Sequence, residues 1–133
     1  METWRIYFLV GLGGGLGSVA RFWVSGVFAR WFGEAFPWGT FFIYVTGSFL
    51  IGLVFTLTAS DGRFPWPETA RNCFMAGICG GYTTFSAFSL QTLRLVHERQ
   101  WLPAGLNVLG SVCACLAAVW LGHMLGLMFS RAR

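Results

Sequence analysis

The stretch Gly77-Ile78-Cys79-Gly80-Gly81-Tyr82-Thr83-Thr84-Phe85-Ser86-Ala87-Phe88-Ser89 carries the densest set of groups able to do chemistry. Paired glycines followed by two β-branched threonines make a poor helix. Inside an apolar segment they read as a break, tolerated only where protein or a cavity satisfies the freed backbone. Freed carbonyls are good ligands for a hard cation such as Na+; a glycine pair that only packs closely, with no ion, is the alternative. Phe85 and Phe88 are three apart and share a helix face. Their ring edges are electropositive, so edges turned into a narrow passage would suit an anion that has shed its water. Ser86 and Ser89 add hydroxyl donors. With 14 Phe in the chain, plain packing is the competing use of the ring pair.

Asn107, Ser111 and Cys115 recur every four residues and form a polar stripe along one helix face. Such stripes glue helices together or line a path. Tyr44, Thr46 and Ser48 are the polar groups inside the preceding apolar segment. Arg21 is the one charge well inside the first segment, where an arginine faces protein or water or else snorkels to the interface. In water, Arg21 would draw anions to a pore mouth. Gly11-Leu12-Gly13-Gly14-Gly15-Leu16-Gly17 fails as a nucleotide loop, because a third glycine of the fingerprint would fall on Leu16 and no βαβ pattern surrounds it. Gly11/Gly15 and Gly13/Gly17 are instead small-xxx-small pairs that let helices approach. No Asp or Glu lies well inside any apolar segment, which argues against proton-coupled pumping. No His/Cys cluster or nucleophile–base pair points to an enzyme, and His123 has no partner visible in the sequence.

These residues need elements to hold them. Of the 133 residues, 56% are hydrophobic and 11% charged, against about 25% charged in a soluble domain. That excludes an ordinary soluble enzyme and a basic nucleic-acid-binding tail, so the +4 net charge is no patch seeking phosphate. A spanning helix takes roughly 20 apolar residues, and four segments qualify, at approximately 6–29, 38–59, 70–96 and 102–129. The expected fold is an all-α membrane domain over 1–133, with the third helix broken near its middle. Such a chain is thin for lining a pathway alone, so oligomerisation is expected. Four crossings put Arg5, Arg63, Arg71, Arg131 and Arg133 on one side and Arg30, Arg94 and Arg99 on the other. The small bias specifies orientation weakly: two opposite insertions, or one topology set by weak signals, both satisfy it. Cys73, Cys79, Cys113 and Cys115 lie in apolar stretches and read as small hydrophobes.

Three motifs then carry a resemblance over essentially the whole chain: Gly13-Gly14-Gly15-Leu16-Gly17-Ser18-Val19-Ala20-Arg21, Gly39-Thr40 through Gly47-Ser48-Phe49, and Gly80 through Ser89. The sequence resembles the Fluc/CrcB family of fluoride ion channels. The resemblance implies an antiparallel, dual-topology homodimer in the inner (plasma) membrane, with fluoride as the solute and no nucleic acid. It implies passive export of cytoplasmic fluoride, which lowers its toxicity, and a structural Na+ at the dimer centre held by the carbonyls of Gly80 and Thr83. It implies a pore lined by Phe85, Phe88, Ser111, Tyr44, Asn107, Cys115, Ser86 and Thr84, with Arg21 in the vestibule. This chain departs from the family pattern at Tyr44, where Asn is usual, and at Asn107, where Tyr or His is frequent. The pair reads as a compensating exchange, or Tyr44 slows the pore and makes this copy depend on a paired homologue. Gln91 stands where many relatives have Glu. A small multidrug-type antiporter and a non-transporting assembly subunit are the other readings; the missing membrane carboxylate counts against the first.

Overall fold

A computed structural model describes residues 2–132. Arg133, counted in the arginine tally, lies outside the described residues. The described residues form helices joined by short connections: α1 (Glu2–Phe32), α2 (Trp38–Leu57), α3 (Glu68–Asn72), a π-helical stretch (Cys73–Cys79), α4 (Gly80–Tyr82), α5 (Phe85–His97) and α6 (Trp101–Arg131). Four spans are long and apolar enough to cross a membrane: Thr3–Phe32, Trp38–Leu57, Glu68–His97 and Trp101–Arg131. The third comprises α3, the π stretch, α4 and α5. Every backbone group must be paired inside hydrocarbon, so a chain this apolar has helix as its default.

Glycine sets where the helices touch. A Cβ on Gly52 would collide with the Val119 carbonyl, and one on Gly122 with the Phe49 carbonyl, so α2 and α6 cross backbone to backbone. On the other side, Gly13 and Gly17 of α1 meet Gly77 and Gly81. A Cβ on Gly13 would stand 2.9 Å from the Cys73 carbonyl, and one on Gly17 2.7 Å from the Tyr82 amide. Gly11 and Gly15 have nothing within 4 Å, so of the two small-xxx-small pairs only Gly13/Gly17 makes a close approach within this chain.

Between α4 and α5 the backbone opens out. Thr83 (φ −95°, ψ 143°) and Thr84 (φ −148°, ψ 121°) are extended. Before them, the third span packs on α1; after them, α5 leans on α6. Those two residues thus hand the span from one neighbour to the other.

Helix ends are closed by specific partners. Gly33, at φ 73°, ends α1 in the left-handed conformation that glycine adopts most easily, its N–H on the Ala29 carbonyl at 2.9 Å. At the other end of the bundle, Arg71 donates to Thr58 Oγ1 and to the Phe55 carbonyl, both at 3.1 Å, with its guanidinium 5.1 Å from the Phe55 ring. Arg63 donates to the Phe129 carbonyl at 3.1 Å. These arginines meet carbonyls near helix C-termini, where a cation also faces the negative end of the dipole. The core is small and half polar: Ile43, Phe88, Leu95, Ala104 and Ala118 are buried together with Thr40, Thr56, Asn107 and Ser111.

Candidate functional site

The site grows from the end of α4. Once Thr83 leaves the helix, the last carbonyls lose the amides that a continuing helix would supply. The Cys79 carbonyl takes the Thr83 N–H and hydroxyl, both at 2.9 Å. The Gly81 carbonyl takes Arg21 Nε at 3.3 Å and Ser18 Oγ at 3.5 Å from α1. The Thr84 carbonyl takes the Tyr44 hydroxyl from α2. Among the described residues, no donor is seen at the carbonyls of Gly80 and Thr83. Two contacts from α2 hold the opening in place. Thr46 Oγ1 and Tyr82 Oη are 2.9 Å apart, and Gly47 leaves room for the Thr83 methyl, which a Cβ there would strike.

From this opening a line of polar groups runs along α5 beside two phenyl rings. Thr84 Oγ1 and Ser86 Oγ are hydrogen-bonded at 2.9 Å. The Phe85 and Phe88 rings lie 5.4 Å apart at 46°, and Tyr44 lies 5.8 Å from Phe88. Phe88 is buried, whereas Phe85 is 75% exposed on the single chain. One turn on, Thr92 donates to the Phe88 carbonyl at 2.9 Å and accepts Asn107 Nδ2 at 3.0 Å. Ser111 donates to Asn107 Oδ1 at 3.5 Å. Asn107 and Ser111 are 1% and 3% exposed, so this part of the stripe joins α5 to α6 inside the protein. Cys115, a turn beyond, is half-buried.

Beyond Thr92, a cavity of about 170 Å³ opens between the ends of α1 and α5 and the turn before α2. Ser25, Glu34, Thr40, Gln91, Arg94 and Glu98 are the polar residues that line it. Gln91 Oε1 is buried without a hydrogen-bond partner, an open acceptor at the foot of this space.

The structure therefore gathers Tyr44, Thr84, Phe85, Ser86, Phe88, Asn107 and Ser111 around α5. Arg21 is placed elsewhere, on the α4 end. His123, for which the sequence offered no partner, bonds Thr56 Oγ1 through Nδ1 at 2.6 Å in the α2–α6 contact. Sequence reasoning missed Thr92, which connects Phe88 to Asn107. The signal was available, since Phe85, Phe88 and Thr92 follow i, i+3, i+7 spacing on one helix face.

Fold and site together define a small multi-pass helical membrane protein in which, among the described residues, the polar groups gathered around α5 are hydroxyls and amides. Residues 8–123 match the family described as "CrcB-like protein, Camphor Resistance (CrcB)". The chain belongs to that family. It is similar to the "Fluoride-specific ion channel FluC" of Opitutus terrae, with 54% identity over 119 residues, 90% of each chain. It is equally similar to the protein of that name from Paramagnetospirillum magneticum, at 54% over 125 residues, 94% of this chain and 98% of the relative. The Rhodospirillum rubrum protein of the same name is 54% identical over 118 residues, 89% of this chain and 92% of the relative.

Proposed function

We propose that this chain is a fluoride-selective channel that lets fluoride leave the cytoplasm passively across the inner membrane, lowering its toxicity. One observation carries the reading beyond kinship. An uncharged row of hydroxyl and amide groups, Thr84–Ser86 and Thr92–Asn107–Ser111, runs beside the Phe85–Phe88 pair and leads toward a cavity at one end of the bundle. A small hard anion that sheds water needs donors in sequence and weakly positive ring edges between them. The Phe85–Phe88 edges supply the second, and the Thr84–Ser86 hydroxyl pair, only one of whose hydrogens is used between them, supplies a donor beside them; the row itself holds no carboxylate to couple protons. With a negative-inside potential, such a path drives fluoride outward without ATP.

The working form is an antiparallel, dual-topology homodimer. Phe85 and Gly80 both lie exposed on the single chain, as groups completed by a second copy would. The carbonyls of Gly80 and Thr83, freed by the break in the third span, would hold a structural Na+ in that dimer. The donor set fits: both are hard neutral oxygens free of other donors, and two subunits offer four of them. A bound Na+ would be held by those carbonyls and would neutralise their dipoles. Within each subunit the Tyr44 hydroxyl on Thr84 and the Tyr82–Thr46 pair orient the opening, and Thr92 orients the Asn107 amide.

The test is purified protein in liposomes loaded with both halides. Fluoride is released and chloride retained if the reading holds; equal loss of the two refutes it.

A further inference from the structure

Arg21 stands apart from the polar row. The α1 face that carries it is fixed against the end of α4 by the Gly13–Gly77 and Gly17–Gly81 approaches, so the side chain is aimed at a known place. There it meets the Gly81 carbonyl at 3.3 Å through Nε, alongside Ser18 Oγ at 3.5 Å. Gly81 stands two residues before the extended Thr83 and Thr84, so its carbonyl is one that the opening orphaned. It also sits at the negative end of the half-helix dipole, where a cation is favoured.

We propose that Arg21 is a positioning residue. It caps the half-helix through the Gly81 carbonyl and so fixes where Thr83–Thr84 turn the chain from α1 toward α6. Its contribution comes from the Nε–H bond, with little from its charge acting on a passing anion. The inference rests on the channel reading for its flux measurement and on packing alone for its stability measurement.

Side-chain length separates the two roles. Arg carries Nε at the fourth side-chain position, and Gln carries Nε2 at that same position. Lys carries a methylene there and its ammonium one atom further out. Thus R21Q keeps the donor and loses the charge, R21K keeps the charge and loses the donor at that position, and R21M loses both. Fluoride efflux from liposomes is compared at low and high ionic strength, and unfolding of each purified variant is followed by circular dichroism. The expected result is that R21Q keeps flux within about threefold of wild type and stays more stable than R21M, losing only the smaller dipole contribution of the charge. R21K and R21M lose about fivefold or more in flux, the factor for one hydrogen bond, unfold earlier than R21Q, and do not recover with salt. An R21Q protein as unstable as R21M overturns the proposal. So does an R21K protein that matches wild type, or an R21Q deficit in flux that disappears as salt screens the charge. If wild type itself releases no fluoride, the channel reading fails and the stability order alone decides the role of Arg21.

Discussion

The Asn107–Thr92 bond joins α5 to α6, and a double-mutant cycle isolates its worth. Asn107→Ala and Thr92→Val, made singly and together, remove one N–H···O contact of 3.0 Å. Interhelical bonds measured by such cycles in a membrane protein average about 0.6 kcal/mol and reach about 1.7. Two features place this one in the upper half of that range. Asn107 is 1% exposed, so no water replaces the lost partner. The Thr92 hydroxyl also donates to the Phe88 carbonyl at 2.9 Å, which polarises its oxygen as an acceptor. The expected coupling is about 1–1.5 kcal/mol, a factor of about 5 to 12 in the unfolding equilibrium. Asn107→Ala alone costs more, because it leaves a cavity and removes the acceptor of Ser111. Those costs occur with either residue at position 92 and cancel in the cycle. The assay is reversible unfolding in mixed micelles at one fixed protein-to-detergent ratio, since an assembling protein is stabilised by concentration. A coupling below about 0.3 kcal/mol, within the additivity of independent sites, refutes the claim that this bond holds α5 to α6.

Three further outcomes are expected. Phe85→Ile cuts fluoride flux sharply; Phe88→Ile cuts flux and also destabilises the subunit fold, because Phe88 is 6% exposed within the chain. Unchanged flux in both returns the rings to packing. Gly17→Ala pushes a methyl into the Tyr82 amide at 2.7 Å and lowers stability by about 1–3 kcal/mol or more. By contrast Gly26→Ala, with nothing within 4 Å, is neutral or stabilising by up to about 1 kcal/mol; equal stabilities measured by chemical unfolding would contradict the glycine contacts. The exchanged pair Tyr44→Asn with Asn107→Tyr conducts fluoride better than either single variant, since both residues sit against the Phe88–Thr92 turn of α5; failure to recover sinks the compensating exchange.

The spans were legible because hydrocarbon imposes a simple demand, a long apolar helix, and the sequence meets it four times. The polar row was legible in part because Asn107 and Ser111 repeat at helical spacing. What that stripe does was not legible, since gluing and lining use the same residues. In the structure Asn107 holds α6 to α5 within the subunit, and Ser111 donates to Asn107 from the next turn of α6. The π-helical turn at Cys73–Cys79 left no signal, because its residues are ordinary apolar ones and its register is set by contact with α1. Arg21 was legible as an unusual charge, but its partner was not. A backbone carbonyl has no sequence signature, and Gly81 becomes an acceptor only because the chain leaves the helix two residues later. Thr56 and His123 met for a related reason: they lie on different helices, and the crossing at Gly52 and Gly122 brings them together.

The most direct measurement is halide release from liposomes containing the purified wild-type chain, read with fluoride- and chloride-selective electrodes under an imposed negative-inside potential. The account predicts rapid, saturating loss of fluoride with chloride held back. Loss of both at similar rates, or of neither, contradicts it.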